Sequence, residues 1–397
     1  LYNLSSGDVF SIDEQAVRLL DLCECEVSLS EILEHNADFD QCETISYLQD
    51  LENAGLGSFL GDKDHVEKVE LEPPPELSFL WLEVTARCNL RCLHCYSESA
   101  PKIFNDERMT FSDWVRVMEE AYALGCCKIQ FIGGEPFFIG KALLDLIRSA
   151  EKIGYEFIEV FTNGVLLNEE RIDFLARHNI AVAISLYGPS AAVHERVTLG
   201  KGSFQKTVMN AKKMQEKGIK LRAAMVVMNV NQDYVEATMK FARENLGIQN
   251  VRYDFVRPSG RGCNASIVAD KFLPAQRKTS PEFQCSTETF RRMRYGHQCF
   301  SRTICVTAAG DVYPCIMERD APLGNVSEKS LHNILRNNKA KEIRFLNKDN
   351  IEVCRDCEYR YACFDCRPKA QGSSPDNNLY AKPNDCQYNP YTGVWGL

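Results

Sequence analysis

The chain has 397 residues, of which 45% are apolar and 25% are charged. This composition is typical of globular proteins and excludes a disordered or fibrous one, and the length allows two or three domains. The longest apolar runs are well short of the roughly 18 residues that a membrane span needs. The first thirty residues carry acids where a signal peptide has a basic start and an apolar middle. We therefore expect a cytoplasmic protein with no membrane partner.

The formal net charge of −9 is distributed unevenly along the chain. Residues 1–60 contain thirteen Asp or Glu and one basic residue, Arg18, which gives this segment −12 and the remaining 337 residues +3. A surface of this acidity repels phosphate groups, so we exclude nucleic acid as a partner.

Residues 1–65 form the first predicted unit, with three helices and a short extended stretch near residues 9–12. Ser28 and Glu31 make a capping box that begins the second helix, and Gly55 ends the third. The first helix is expected to carry on its apolar side Ala16, Val17, Leu19, Leu20 and Leu22. Three helices with small strands predict a winged-helix domain.

A stiff linker, residues 66–78, contains three consecutive prolines and leads into the main domain. There, six strand patterns alternate with helical ones, which predicts an α/β fold with a parallel sheet and right-handed crossovers, a partial (β/α)6 TIM barrel over residues 79–260. The strands are predicted at residues 79–85, 128–133, 157–163, 181–186, 221–228 and 251–256. Functional residues are expected where these strands end at their C-terminal sides.

Residues 261–284 form a bridging segment, and residues 285–397 a cysteine-rich domain of short hairpins, one of them turning at Gly310 and Asp311. This last domain has little continuous apolar pattern of its own. We therefore expect metal to hold it together.

Eighteen cysteines are the unusual feature of the composition. Eleven of them fall into two dense groups, and a reducing compartment keeps such groups as thiolates that are available to metal. The spacing therefore favours metal or cluster ligation over disulfides.

The first group, Cys88, Cys92 and Cys95, follows directly on the first predicted strand. Three thiolates on one loop bind three irons of a [4Fe–4S] cubane and leave the fourth iron without a protein ligand, whereas a cluster that only transfers electrons normally has four cysteines. Zinc is the alternative, although it usually takes four ligands.

This loop resembles the signature of the radical S-adenosylmethionine (SAM) enzymes, with the imidazole of His94 at the aromatic position, and the resemblance covers residues 79–260. It implies that the open iron binds SAM and that a reducing electron breaks SAM to a 5′-deoxyadenosyl radical, with Cys88, Cys92 and Cys95 as the catalytic cysteines. The electron would come from a reductant such as flavodoxin or ferredoxin.

Further motifs resemble the SAM contacts of this family. One is a turn after the second strand whose carboxylate would pair with the methionyl amine: Gly133, Gly134, Glu135 and Pro136. The ribose contact would be Thr162 and Asn163, and Ser185 would contact the methionyl carboxylate. The remaining implied contacts are to the adenine or the carboxylate: His94, Tyr96 and Arg196.

The second cysteine group resembles the SPASM extension, which binds two auxiliary [4Fe–4S] clusters, so three clusters are expected in all. The resemblance assigns the near cluster to Cys299, Cys315 and Cys366. It assigns the far cluster to Cys354, Cys357, Cys363 and Cys386. The fourth near ligand stays open between Cys305, Cys285 and a substrate thiolate. The last spacing, two residues between Cys363 and Cys366, departs from the usual three, and structural zinc is the alternative for this group.

The first unit resembles the RiPP recognition element, a winged helix that binds the leader of a ribosomally made precursor peptide by strand addition. Together the three parts resemble a sactisynthase-like or ranthipeptide-synthase-like maturase that installs a Cys thioether in a precursor peptide. Three alternatives stay open: a maturase that forms carbon–carbon crosslinks, an anaerobic sulfatase-maturating enzyme, and a non-enzymatic iron–sulfur electron carrier or peptide-binding adaptor.

Overall fold

The structure, a computed structural model, describes residues 1–23, 27–36, 38–61, 77–102, 107–272 and 283–396. The proline-rich part of the predicted linker, residues 73–75, lies outside these ranges. In the part of the chain that is described, no helix combines the length and the apolar character needed to cross a bilayer.

Three helices form the N-terminal unit: α1 (Glu14–Cys23), α2 (Leu29–His35) and α3 (Gln41–Asn53). The capping box at Ser28 is present, as predicted. The small core consists of Leu19, Ile32 and Phe39. Val17 is 43% exposed, so its predicted place on the apolar side was wrong, since the turn of α1 points it outward.

The wing predicted beside these helices is represented, among the described residues 1–61, by a single antiparallel bridge between Tyr2 and Val9. The winged-helix fold therefore stays a prediction. The same segment contacts the C-terminal domain, because the Tyr2 hydroxyl donates to the carbonyl of Glu358 (2.6 Å) and accepts from the backbone N–H of Tyr361 (3.0 Å).

The main domain alternates strands and helices along the chain. Its strands are β1 (Phe79–Glu83), β2 (Lys128–Ile132), β3 (Phe157–Thr162), β4 (Ala181–Ser185), β5 (Leu221–Val227) and β6 (Asn250–Phe255). Its helices are α4 (Phe111–Ala123), α5 (Lys141–Ile153), α6 (Glu169–Arg177), α7 (Ala191–Thr198), α8 (Ser203–Glu216) and α9 (Val235–Leu246). All six predicted strands are present, and each lies within one residue of its predicted start and two of its predicted end.

These six strands are parallel and adjacent in chain order. On one sheet face, apolar side chains such as Leu82, Phe131 and Val160 are fully buried in the core shared with the helices. The opposite face carries polar groups, among them Glu159, which forms a bidentate ion pair with Arg222 (2.8 and 2.7 Å). The predicted α/β fold with a mostly parallel sheet is confirmed, and closure into a partial barrel stays a prediction.

The C-terminal part adds α10 (Thr287–Tyr295), β7 (Thr303–Thr307), β8 (Asp311–Tyr313), β9 (Gly324–Asn325), α11 (Leu331–Arg336), α12 (Asn338–Arg344), α13 (Arg367–Gly372), β10 (Tyr388–Asn389) and β11 (Val394–Trp395). The predicted hairpin at Gly310 joins β7 to β8. Strand β7 also pairs with β1 in parallel, so one nine-stranded sheet runs through both domains.

The sequence predicts that metal holds the C-terminal domain together, and this junction adds an apolar contribution. Phe300, Ile304 and Val306 are fully buried in the same apolar core as β1 and β2, and residues of α11 and α12 join them. The sequence pattern showed too little apolar surface for a separate core because the core is shared with the main domain.

Candidate active site and cysteine clusters

The loop that carries Cys88, Cys92 and Cys95 follows β1 at its C-terminal end and is held by backbone hydrogen bonds. The N–H groups of Arg91 and Leu93 donate to the carbonyls at the end of α7, Thr198 (3.2 Å) and Val197 (3.0 Å). The N–H of Cys88 donates to the Ala100 carbonyl (3.2 Å). The start and the middle of the loop are therefore held in place.

The three thiols of this loop interact electrostatically with one another, which places them together as predicted. Burial raises the pKa of the Cys88 thiol to about 12, and it also raises the pKa of the Cys92 thiol. Two N–H donors point at the Cys88 sulfur, the backbone N–H of Leu90 (3.4 Å) and the side-chain amide of Asn163 (3.7 Å). Such donors favour a thiolate over a thiol.

Two glycines after β2 bring the second motif against the start of the cysteine loop. A Cβ on Gly134 would lie 2.0 Å from the carbonyl oxygen of Arg87, and one on Gly133, whose φ is +127°, would lie 2.5 Å from that of Thr85. The backbone N–H groups of Gly134 and Glu135 donate to these same two carbonyls (2.7 and 2.8 Å). The glycines are thus required for packing of protein backbone on protein backbone.

Glu135 is fully buried, and its carboxylate accepts three hydrogen bonds from the chain itself. The donors are the Thr162 hydroxyl (2.7 Å) and the backbone N–H groups of Asn163 (2.9 Å) and Phe137 (3.2 Å). Burial raises the pKa of this carboxyl to about 7 despite these donors. In the structure Glu135 ties the second motif to the third, and its pairing with a methionyl amine stays a prediction.

Asn163, at the end of β3, connects the third motif to the cysteine loop. Its side-chain amide donates to the Asn89 side-chain oxygen (2.9 Å) and points at the Cys88 sulfur. Gly164 follows with φ +77°, where a Cβ would lie 2.9 Å from the Ile184 side chain. The ends of β1, β2 and β3 therefore meet at Cys88.

Ser185 is buried at the end of β4, where its hydroxyl interacts with that of Tyr187. The Tyr187 ring lies edge-on to His94, with ring centroids 4.9 Å apart. Burial lowers the pKa of His94 to about 4, so its imidazole is neutral at ordinary pH. The structure thus brings His94 and Ser185 to the same tyrosine.

Tyr96 and Arg196 lie apart from this group. Arg196 is exposed on α7 and donates to the carbonyls of Ala192 (3.1 Å) and Val230 (3.4 Å). The ring of Tyr96 lies 5.1 Å from the Arg319 guanidinium carbon, and Arg319 is ion-paired with Glu83 at the end of β1. Tyr96, Arg319 and Glu83 line a cleft of about 270 Å³ between the main and C-terminal domains.

Two residues at the junction of the main domain and the bridging segment hold the cysteine loop, and the sequence analysis missed both. The Arg261 guanidinium donates to the carbonyls of Cys92 and Ser99, both at 2.8 Å. A Cβ on Gly260, whose φ is +54°, would lie 2.3 Å from the Tyr96 carbonyl oxygen. The Gly-Arg-Gly run at residues 260–262 was the available signal, because glycines on both sides of a cation indicate close backbone approach.

In the C-terminal domain, Cys299, Cys315 and Cys366 interact electrostatically with one another, which is the predicted near group. All three face Arg257, which is ion-paired with Asp254 at the end of β6. Asp254, Arg257 and Cys366 line a cavity of about 170 Å³.

The predicted far group is also brought together. Cys354 and Cys363 interact electrostatically with each other and with Cys386, and Cys357 interacts with the first two. Each described cysteine is a free thiol. Among the described residues, no three His, Cys, Asp or Glu side chains converge on a single metal ion.

The candidates for the fourth near ligand differ in their surroundings. Cys305 lies fully buried on β7, opposite Trp81, and interacts with Glu83, Arg319 and Cys315. The Cys285 thiol instead points at the Tyr361 carbonyl (3.4 Å), beside the N-terminal segment. Of the two, Cys305 is the one that interacts with a thiol of the near group.

Residues 82–242 match the family described as Radical SAM superfamily, and residues 299–358 match SPASM, an iron–sulfur cluster-binding domain. The chain contains a radical SAM domain followed by a SPASM domain. The residues of the cysteine loop and of the β2 to β4 strand ends lie in the first match. The near and far groups lie partly in the second, which ends before Cys363, Cys366 and Cys386.

Proteins similar to this radical SAM–SPASM chain include the antilisterial bacteriocin subtilosin biosynthesis protein AlbA of Bacillus subtilis, 26% identical over 324 residues that cover 77% of this chain and 70% of AlbA. The AdoMet-dependent heme synthase of Methanosarcina barkeri is 25% identical over 343 residues, 78% of this chain and 95% of that protein. The crystal structure of Streptococcus suis SuiB bound to precursor peptide SuiA superposes with a TM-score of 0.62 at 16% identity, covering 87% and 88% of the two chains. This last similarity shows the fold.

Radical SAM domains bind SAM and a [4Fe–4S] cluster, and SPASM domains bind auxiliary clusters of the same kind. The chemistry of the donor sets fits, because they consist of thiols and N–H groups are aimed at sulfur: Leu90 at Cys88, and Met317 at Cys315 (3.5 Å). Hydrogen bonds to sulfur and burial are the features by which a protein sets cluster potential.

Proposed function

We propose that this chain is a radical SAM peptide maturase that installs an intramolecular crosslink, a Cys thioether, in a ribosomally made precursor peptide. The relatives support a peptide substrate, since the name of AlbA refers to the biosynthesis of a bacteriocin and SuiB was crystallised with a precursor peptide. The proposal also assigns the cluster ligands and SAM contacts at the residue level.

The single observation that carries the proposal is the convergence of three strand ends on Cys88. The side-chain amide of Asn163 points at the Cys88 sulfur, and the backbone N–H of Asn163 donates to the Glu135 carboxylate. The backbone N–H of Glu135 in turn donates to the carbonyl of Arg87, the residue before the cysteine. One hydrogen-bonded unit therefore links the cysteine loop to the proposed amine and ribose contacts.

In this assignment Cys88, Cys92 and Cys95 hold the radical SAM cluster, and the SPASM thiols hold the two auxiliary clusters. If bound there, the radical SAM cluster would supply the electron that cleaves SAM to the 5′-deoxyadenosyl radical, and this radical would take a hydrogen atom from the acceptor carbon. The auxiliary clusters would accept the electron that remains when the cysteine sulfur loses its proton and bonds to that carbon. The chain itself positions the loop through Gly134 and Arg261, and keeps His94 neutral by burial.

We also propose that residues 1–65 bind the leader of the precursor, that residues 79–260 form the radical SAM domain and residues 285–397 the SPASM domain with two auxiliary clusters, and that a reductant such as flavodoxin or ferredoxin supplies electrons in the cytoplasm. The acidity of residues 1–60, with a net charge of −12, suits a leader with basic residues.

The test is an anaerobic incubation of reconstituted protein with SAM, dithionite and the small Cys-bearing peptide encoded nearest the gene, followed by mass analysis of nucleoside and peptide. We expect 5′-deoxyadenosine and a peptide that has lost two hydrogen atoms and no longer reacts with a thiol-alkylating reagent. A matched incubation with the leader removed should give less product.

Other outcomes separate the alternatives. A peptide that loses two hydrogens while its cysteines still react with the reagent would indicate a carbon–carbon crosslink. 5′-Deoxyadenosine without peptide change would support the radical chemistry and contradict the substrate assignment. If protein that holds about twelve irons does not cleave SAM, the non-enzymatic alternative, an iron–sulfur electron carrier or peptide-binding adaptor, would be supported.

A further inference from the structure

A buried group of charges lies beside the cysteines of the SPASM domain and takes no part in the function proposed above. It consists of Asp365, between Cys363 and Cys366, together with Lys348, Arg367 and His297. Their side chains are between 0% and 6% exposed. Charges removed from water in this way are costly unless opposite charges are close to them.

His297 contributes no net charge to this group. Its Nδ1 accepts from the backbone N–H groups of Cys299 (3.3 Å) and Phe300 (3.4 Å), so the proton is on Nε2, which faces Asp365 at 3.3 Å. A ring that accepts at one nitrogen and donates at the other is neutral. The count is therefore one carboxylate against two cations.

The charge of Arg367 is balanced within the group, by Asp365. Its guanidinium donates to the Asp365 carboxylate and to the carbonyls of Leu379 (3.0 Å) and Ala381 (2.9 Å), on the segment that leads to Cys386. Lys348 is the surplus cation. Its ammonium lies 3.4 Å from Asp365, which Arg367 already neutralises, and it has no hydrogen-bond partner among the described residues.

The surplus charge faces the far group of cysteines. Lys348 begins the short helical turn Lys348–Asn350, which Ile351 ends. The turn Cys354–Asp356 is bonded directly to it, because the N–H of Arg355 donates to the carbonyl of Ile351 (3.0 Å). Besides Asp365, the groups that interact most strongly with the ammonium are the thiols of Cys363 and Cys354. Two far-cluster ligands are thus its anionic partners once they are thiolates.

We propose that Lys348 is the buried counter-charge of the far auxiliary cluster and raises the reduction potential of that cluster. The inference rests on the proposed assignment of Cys354, Cys357, Cys363 and Cys386 as ligands. A cluster held by four thiolates is anionic, and reduction adds a further negative charge. A fixed cation in a dry, low-dielectric site stabilises that added charge, so the reduced form is favoured.

The experiment is a redox titration of the full chain, monitored by electron paramagnetic resonance. A background that carries Cys88→Ala, Cys92→Ala and Cys95→Ala removes the radical SAM cluster, so the remaining signals are auxiliary. Lys348→Met keeps the length of the side chain and removes the charge. We expect one auxiliary potential to become more negative, with the iron content and the other potential unchanged. Lys341→Met, on the exposed face of α12, is the matched control and should leave both potentials where they are.

Asp365→Asn gives the opposite sign, because it removes the anion of the group and keeps Lys348. The potential of the same cluster should become less negative. A purely structural role for Lys348 predicts lost iron or no shift, never shifts of opposite sign. Unchanged potentials in both variants would overturn the inference. If Lys348→Met loses iron, the Asp365→Asn variant provides the test: a less negative potential supports the inference, and an unchanged or more negative potential contradicts it. Fewer than about eight irons in the background itself would instead contradict the ligand assignment.

Discussion

The two cysteine sites of this chain are built in different ways. Around Cys88, the sulfurs belong to one short loop, and the loop is positioned by backbone: strand ends, tight glycines and carbonyls that accept from Arg261. In the SPASM domain the sulfurs come from distant parts of the chain, and buried charges accompany them, Arg257 at the near group and Lys348 at the far group. The first site depends on shape and the second on charge, so substitutions should affect them differently.

The largest effect should follow from Cys88→Ala with Cys92→Ala and Cys95→Ala, because no other thiols reach this strand end among the described residues. We expect the loss of about four of about twelve irons and of all 5′-deoxyadenosine formation, with the auxiliary clusters retained. Iron analysis and liquid chromatography measure both. Cys263→Ala, at an exposed thiol, is the control. Retained SAM cleavage in the triple variant would show that the radical cluster lies elsewhere.

Gly134→Ala should be nearly as severe, because its Cβ would lie 2.0 Å from the Arg87 carbonyl oxygen. Relief of this overlap must move the cysteine loop, at a cost of about 3 kcal/mol or more. We expect less radical SAM cluster and a lower melting temperature. Gly57→Ala, where a Cβ meets nothing within 4 Å, should be neutral. Equal iron content in both variants would contradict a shape-determined site.

Arg261→Met removes two bonds from a charged donor to the carbonyls of Cys92 and Ser99. Bonds of this kind contribute about 1.5–3 kcal/mol each. We expect weaker SAM binding and faster loss of the radical SAM cluster, while the auxiliary signals stay unchanged. Arg243→Met, exposed on α9, serves as the comparison. A shift in the auxiliary signals would show that Arg261 does not act on the loop alone.

Arg257→Gln should give the smallest effect. This cation faces the near thiols, but it is paired with Asp254, whose side chain is 58% exposed, and solvent screens such a pair. We expect a small negative shift of one auxiliary potential, and not of the one that responds to Lys348. If a single cluster responds to both cations, the division into a near and a far group is wrong.

Sequence reasoning worked where the pattern is local. The strand periodicity, the Ser28 capping box and the hairpin at Gly310 are all set by residues a few positions apart, and all are present. The pairing of β7 with β1 was missed, because it joins residues more than 200 positions apart and leaves no periodic signal.

The site shows the same limit. The cysteine loop and its companion motifs were recognisable as short runs, and the structure brings Glu135 and Asn163 to Cys88. The sequence could not predict that the Glu135 carboxylate accepts its hydrogen bonds from the chain itself, since the hydrogen bonds of a single side chain depend on how neighbouring strands end. The hydrogen bonds from Arg261 to the cysteine loop were also not predicted, because Arg261 belongs to a segment that the sequence identified only as a bridge.

The pairing of β7 with β1 has a consequence for electron transfer. The rate of electron tunnelling falls steeply with distance. A hinge between the two cofactor-bearing domains would therefore make this rate vary whenever the domains moved relative to each other. Here the backbone of β7 is hydrogen-bonded to that of β1, the strand that leads into Cys88, and the chain runs from β7 through one hairpin to Cys315. The separation of the Cys88 loop from the near group is therefore a property of a single sheet, fixed at folding.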